Sequence, residues 1–175
     1  MKTVCIIPCA GKGTRLGKGP LKPFRKIGNI PLILHTIKAC AQSPLIDSLI
    51  LVGSQEYLIE LKQLVEKARI KKVCALVPGG ETRAESVYRG MQCVPKNCDI
   101  VLIHDGAMPF VSGELIEKVI RETENHGACI PGILTSNTLK KTMKDGFVIE
   151  TIDRRNLWQI QTPQGFKRKL LMQGY

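Results

Sequence analysis

The sequence predicts an α/β fold, doubly wound, with a mostly parallel sheet covered by helices on both faces. Three observations carry this expectation. Runs such as Thr3-Val4-Cys5-Ile6-Ile7, Ser48-Leu49-Ile50-Leu51-Val52-Gly53 and Ile100-Val101-Leu102-Ile103 are almost continuously apolar, as strands buried on both faces are. Segments of helical periodicity separate them. The first run empties into a glycine-broken basic segment, Pro8-Cys9-Ala10-Gly11-Lys12-Gly13-Thr14-Arg15, and a glycine-rich turn after the first strand is where such folds bind anions.

The elements follow in order. Residues 31–41 place Leu32, Ile33, Ile37 and Cys40 at helical spacing, with Pro31 in the first turn, where its missing N–H is tolerated. Residues 48–53 read as a second buried strand. Residues 55–67 form an amphipathic helix with Leu58, Leu61, Leu64 and Val65 on one face, and 73–77 a third strand. Residues 85–91 are helical, 100–103 a fourth strand, 113–126 a helix, and 128–134 a return to strand; a last helix begins near Phe166. Asp145-Gly146, between Lys140-Lys141-Thr142-Met143 and Phe147-Val148-Ile149, is a hairpin signal. In this fold class ligands bind at the carboxyl ends of the strands. Three segments therefore share one edge: the glycine segment, Pro78-Gly79-Gly80-Glu81-Thr82-Arg83, and His104-Asp105-Gly106-Ala107-Met108-Pro109.

Composition narrows the function. The chain has 175 residues, 43% hydrophobic and 23% charged, which fits one domain spanning 1–175. No run is long and apolar enough to span a bilayer, and Met1-Lys2 leads straight into strand-like sequence without a secretory pattern. A cytoplasmic location without a membrane partner is expected. Seven cysteines, an odd number without CxxC pairs, read as reduced core residues. The net charge is +11, but aromatic residues are only 5%, and basic residues concentrate only in the glycine segment and Lys167-Arg168-Lys169. A small polyanionic ligand is expected, not a nucleic acid.

Phosphate chemistry follows from the side chains. Gly11 and Gly13 allow the close backbone approach that lets N–H groups converge on an anion. Arg15 adds a planar fork of donors and Lys22 a point charge. The alternative is an ordinary strand-to-helix turn with incidental cations. The segment is not a P-loop, since no Gly-Lys-Ser or Gly-Lys-Thr follows, and it lacks the third glycine of the dinucleotide fingerprint. Asp105, at a strand end, suits Mg²⁺ or ribose hydroxyls, the alternative being a helix N-cap. His104 reads as structural, because an attacking phosphate oxygen needs no general base. Gly79 and Gly80 bring backbone close to a flat ligand, and Ser86 offers a hydroxyl to the edge of a base. Arg83 either holds this loop from behind or is a helix-start cation.

Together these motifs resemble those of the 2-C-methyl-D-erythritol 4-phosphate cytidylyltransferase family. The resemblance runs in order through Pro-Cys-Ala-Gly-x-Gly-x-Arg (8–15), Lys22, Gly-Gly-Glu-Thr-Arg-x-x-Ser-Val (79–87) and His-Asp-Gly-Ala-x-Pro (104–109). It continues through Asn137-Thr138-Leu139-Lys140, Thr151-Ile152-Asp153-Arg154 with Leu157-Trp158, and Gln161-Thr162-Pro163-Gln164. It implies a Rossmann-like nucleotidyltransferase fold and transfer of CMP from CTP to 2-C-methyl-D-erythritol 4-phosphate, with Mg²⁺ and release of pyrophosphate, in non-mevalonate isoprenoid biosynthesis. Arg15, Lys22 and Arg154 become catalytic. Pro8, Cys9, Ala10, Gly11, Gly13, Gly80, Glu81, Ser86, Asp105 and Gly106 bind the nucleotide, Asp105 also the metal, and Thr138 and Arg154 bind the polyol phosphate; Thr162 contacts the substrate or, as the alternative, only forms a turn before Pro163. The resemblance further implies a protruding β-arm at about 138–158 that reaches a second subunit of a homodimer.

The chain departs from that family in three respects. Met108 stands where the family carries Arg, and a thioether cannot compensate phosphate charge. Asn137 replaces an Asp. The chain ends before the family's C-terminal segment, so reduced turnover is expected of the 175 residues. The alternative functions are ribitol-5-phosphate cytidylyltransfer and a non-catalytic nucleotide-binding homologue.

Overall fold

The computed structural model describes residues 1–11 and 22–175. In chain order it gives β1 (Thr3–Pro8), a one-turn 3-10 helix (Lys22–Phe24), the small ladder β2 (Lys26–Ile27) and β3 (Ile30–Pro31), and α1 (Leu32–Gln42). Then come β4 (Ser48–Gly53), a 3-10 turn (Gln55–Tyr57), α2 (Leu58–Lys67), β5 (Val73–Pro78), α3 (Arg83–Met91), β6 (Ile100–Ile103) and α4 (Gly113–His126). The chain continues through β7 (Ala128–Cys129), β8 (Gly132–Leu134), β9 (Leu139–Thr142), β10 (Val148–Ile152), β11 (Trp158–Ile160), β12 (Gln164–Lys167) and α5 (Arg168–Gln173).

The main sheet has the order β5-β4-β1-β6-β12-β7. β1 pairs in parallel with β4 and β6, and β4 with β5. Parallel strands need crossovers, and the predicted helices supply them. Successive residues of β1 face opposite layers. Cys5 and Ile7 pack with α1, α2 and α4 through Ile33, Ile37, Leu61, Ile116 and Ile120, while Val4 and Ile6 pack with α3 through Val87 and Met91. Each such fully buried side chain stabilises by about 1.5–3 kcal/mol. Burial on both layers explains the uninterrupted apolar runs.

Several expectations shift on contact with the structure. Residues 128–134 are two strands: β7 joins the main sheet and β8 pairs instead with β11. The break falls at Ile130-Pro131, where proline has no N–H to give a ladder. Phe166 lies in β12, which runs antiparallel to β6, and the helix expected near it starts at Arg168. Pro31 sits one position before α1, not in its first turn, and residues 55–57 form a 3-10 turn before α2. All seven cysteines are free thiols, and Cys5, Cys9, Cys40 and Cys98 are buried; Cys74, on edge strand β5, and Cys93, beyond α3, are exposed.

The predicted hairpin is present. β9 and β10 pair antiparallel, Met143 donates to Phe147 O at 2.8 Å, and Gly146 takes a left-handed φ of 94° that its missing Cβ permits. Residues 140–151 are all exposed.

Candidate functional site

The strand order reverses beside β1, since the chain runs outward through β4 and β5 and returns to the other side at β6. Such a switch point opens a crevice at the carboxyl ends of the strands. Backbone bonds carry the ladder into the loops there: Cys9 N donates to Val52 O at 2.8 Å, Gly79 N to Gly53 O at 2.7 Å and Gly106 N to Pro8 O at 3.0 Å. The three predicted segments are thereby fastened to one edge. Gly13 and Arg15 lie outside the described residues.

Two glycines set the spacing of these loops. A Cβ on Gly79 would collide with Ala10 Cβ and lie 2.8 Å from Ser86 Oγ. A Cβ on Gly106 would lie 2.8 Å from both Cys9 Cβ and Ile33 Cδ1. Only glycine lets the loops after β1, β5 and β6 touch.

The polar groups sort by what they already hold. Burial pushes the Cys9 thiol up to about 12, so it is an inert thiol, and its N–H is committed to Val52; among the described residues its carbonyl has no donor. Among the described residues the N–H groups of Ala10 and Gly11 have no acceptor. Ser86 is buried, and its oxygen accepts Gly80 N at 3.1 Å, which leaves the hydroxyl proton to donate. Glu81 is exposed, and its N–H goes to Glu85 Oε2 at 2.7 Å. With Thr82 as N-cap, Glu85 completes a capping box that stiffens the start of α3. Holding the loop from behind falls to Arg89, which donates to Gly79 O at 2.7 Å. Arg83 instead bonds Asp105 Oδ1 at 2.8 Å and Gln164 Oε1 at 3.3 Å.

His104 is structural, as expected. It is 1% exposed, and Nε2 lies 3.0 Å from Met108 O, an acceptor only, so Nε2 carries the proton. Nδ1 then accepts from the Thr162 hydroxyl at 2.8 Å, and the Thr162 oxygen accepts Asp105 N at 3.3 Å. Thr162, expected at the substrate, is 8% exposed, and its one proton goes to His104, so the Met108 Sδ 3.3 Å away is a neighbour and not its acceptor. The chain His104–Thr162–Asp105 fixes the backbone of the carboxylate.

Burial lowers the His104 pKa from its ordinary value near 6.5. Below that value the unfolded chain binds a proton that the folded chain refuses, so stability is full above about pH 6.5 and falls as pH drops through it. The melting temperature is expected to decline between about pH 7 and about pH 5.5, and His104→Asn to flatten that decline. An unchanged slope in the variant would assign the acid limb to other groups.

Asp105 can hold a metal only with help. Among the described residues no group of three His, Cys, Asp or Glu could enclose an ion. Arg83 occupies one oxygen of Asp105, and among the described residues Oδ2 has no donor. A single carboxylate oxygen suits Mg²⁺, which binds through one or two carboxylates plus substrate phosphates.

The remaining predicted residues lie elsewhere in the chain. Lys22 is exposed and opens a turn anchored by buried Pro23 and Phe24, the ring of the latter centred 5.1 Å from that of Tyr57 and tilted against it by 32°. Thr138 and Arg154 are exposed, and Arg154 Nη1 donates to Ser136 O, which draws the two segments together. Among the described residues no hydrogen bond joins this pair to the loops at the switch point.

The family model described as IspD: 2-C-methyl-D-erythritol 4-phosphate cytidylyltransferase matches residues 3–175. A bifunctional enzyme IspD/IspF of Desulfotalea psychrophila is 41% identical over 170 residues, covering 97% of this chain and 44% of that protein. A 2-C-methyl-D-erythritol 4-phosphate cytidylyltransferase of Clostridium botulinum (strain Okra) is 37% identical over 171 residues, covering 98% of this chain and 75% of its own. The crystal structure of 4-diphosphocytidyl-2C-methyl-D-erythritol synthase from Anaerococcus prevotii superposes with a TM-score of 0.80 at 30% identity, over 97% of this chain and 71% of that one. The chain thus spans under half of the bifunctional relative and about three quarters of the monofunctional one.

Proposed function

The chain belongs to the 2-C-methyl-D-erythritol 4-phosphate cytidylyltransferase family, and from that premise we propose how its switch-point site works. The reaction is transfer of CMP from CTP to 2-C-methyl-D-erythritol 4-phosphate, with release of pyrophosphate, in isoprenoid biosynthesis. The single observation that carries the site assignment is the convergence of the loops after β1, β5 and β6 at the switch point, where Gly79 packs directly on Ala10 and Ser86.

A cytosine ring occupies a slot beside that contact, where the Ser86 hydroxyl donates to an acceptor on its edge and the N–H groups of Ala10 and Gly11 meet the nucleotide. Asp105 and Gly106 face the ribose and the metal side. Mg²⁺, held by Asp105 and the triphosphate, would supply charge neutralisation. A phosphate oxygen of the polyol then attacks the α-phosphorus in line; the new P–O bond forms as the bond to the β-phosphate breaks, and pyrophosphate takes the electron pair. The attacking phosphate has a second pKa near 6, so near neutral pH it needs no base, in keeping with His104 being buried away from solvent. Arg15 and Lys22 stabilise the charge that builds on the oxygens, and Thr138 and Arg154 seat the polyol phosphate.

The site is completed across a homodimer in this reading. Met143, Phe147, Val148 and Ile149 on the hairpin, with Trp158 and Ile160 on β11, are 49–71% exposed, large apolar side chains that a partner could cover. A partner would bury them and bring Thr138 and Arg154 to the second active site. A cytoplasmic location is part of this reading, in keeping with water-soluble anionic reactants; among the described residues no helix is long and apolar enough to cross a membrane.

Pyrophosphate release with CTP and Mg²⁺ tests the reading. Release is expected with 2-C-methyl-D-erythritol 4-phosphate and not with ribitol 5-phosphate, from a species that sediments as a dimer. Release with ribitol 5-phosphate alone would overturn the acceptor, and CTP binding without release would reduce the site to a nucleotide pocket.

A further inference from the structure

We propose that Arg83 is a positioning residue for this reaction, holding the Asp105 carboxylate by one oxygen while Gln164 draws off the other arm of its guanidinium. The proposal rests on the reading of Asp105 as the residue on the ribose and metal side.

The geometry is specific. Arg83 is the first residue of α3, rooted in the capping box of Thr82 and Glu85. Its Nε donates to Asp105 Oδ1 at 2.8 Å and its Nη2 to Gln164 Oε1 at 3.3 Å. Gln164 opens β12 and sits opposite Ile103 at the end of β6, one residue before His104 and two before Asp105. One side chain thus ties the loop after β5, the loop after β6 and β12 together.

The same protein shows what an undivided fork does. Arg155 takes both oxygens of Asp153, with Nε at 3.1 Å from Oδ1 and 2.9 Å from Oδ2, and Nη2 at 2.6 Å from Oδ2. A carboxylate held in that way has little left for a ligand. At Arg83 the Gln164 carbonyl takes the second arm, so Asp105 Oδ2 is oriented and, among the described residues, has no donor. This also gives a task to the Gln161-Thr162-Pro163-Gln164 motif, whose Thr162 holds the Asp105 backbone N–H at 3.3 Å while Gln164 governs its side chain through Arg83.

Stability does not account for the pair. The two side chains are 47% and 39% exposed, and ion pairs in that setting contribute little to folding. Arg83 is accordingly expected to act on rate and metal demand while leaving the melting temperature nearly unchanged.

A double-mutant cycle tests this. Arg83→Ala is expected to lower kcat about tenfold and to raise the Mg²⁺ concentration needed for half-maximal rate, with Arg83→Lys between it and the parent because a point donor keeps the charge but not the fork. Asp105→Asn is expected to cost more, and Arg83→Ala added to it to cost nothing further. A tenfold loss from Arg83→Ala that persists in the Asp105→Asn background would overturn the positioning role, as would full activity of Arg83→Ala. Full activity of Asp105→Asn would instead overturn the reading of Asp105, and the proposal with it. If Arg83→Ala melts early, the same cycle is run with Arg83→Lys.

Discussion

Gly79→Ala is expected to weaken CTP binding by about tenfold to a hundredfold. Gly79 cannot step aside, because its N–H holds Gly53 O at 2.7 Å as an extension of the ladder between β4 and β5. The added Cβ would strike Ala10 Cβ and approach Ser86 Oγ to 2.8 Å. Neither is the loose end of a long side chain. Ala10 Cβ is rooted in the loop after β1, and Ser86 is buried on α3 with its oxygen bonded to Gly80 N. The strain is relieved only if the loops after β1 and β5 spread, which widens the slot proposed for the base. Overpacking of this kind costs about 1–3 kcal/mol, and each 1.4 kcal/mol is about tenfold in affinity. Gly113→Ala supplies the contrast, since nothing lies within 4 Å of its Cβ, and its CTP affinity is expected to match the parent's. Calorimetric titration with CTP checks both; unchanged affinity in Gly79→Ala would move the pocket away from this slot.

The converging loops and their glycines were legible in the sequence because their signal is local. A glycine pair after an apolar run announces a close backbone approach, and the burial of Val4 to Ile7 on both layers follows from their unbroken apolar run. What the sequence hid is pairing between distant residues. β12 reads Gln-Gly-Phe-Lys, with no apolar run, and becomes a strand only because β6 and β7 flank it. Gly165 within it is required by Thr123 and Val119 of α4, where a Cβ would collide, and nothing near residue 165 reveals that neighbour. The polar network was hidden for the same reason. Arg83 meets Asp105 across 22 positions and Thr162 meets His104 across 58, so the motifs named candidates and only the fold shows what each of them holds. Arg83 and Arg89 illustrate the limit: both are cations at α3, and only the coordinates assign the loop carbonyl to Arg89 and the carboxylate to Arg83.

Met108→Arg is expected to raise kcat/KM for the polyol phosphate by about tenfold to a hundredfold. The family resemblance places Arg at this position, and a positioned charge-assisted contact is worth about 1.5–3 kcal/mol, with about tenfold in rate for each 1.36 kcal/mol. The local structure can take the exchange. The backbone of residue 108 is held without its side chain, through its N–H on Asp105 O at 3.0 Å and its carbonyl on His104 Nε2 at 3.0 Å. The thioether lies 3.3 Å from Thr162 Oγ1, but that hydroxyl gives its proton to His104 Nδ1, so removing the sulfur strands no donor. Met108 is half-buried, and an arginine stem can follow the same path while its guanidinium reaches water or phosphate. The gain should appear in initial rates of pyrophosphate release and shrink as salt is added, because partly exposed charges are screened. CTP affinity should change less than the rate if the cation acts on the oxygens of the transition state. Equal rates would mean that Arg15 and Lys22 already neutralise the reacting phosphates, and a slower variant would mean that the thioether's packing under Thr162 matters more than the charge.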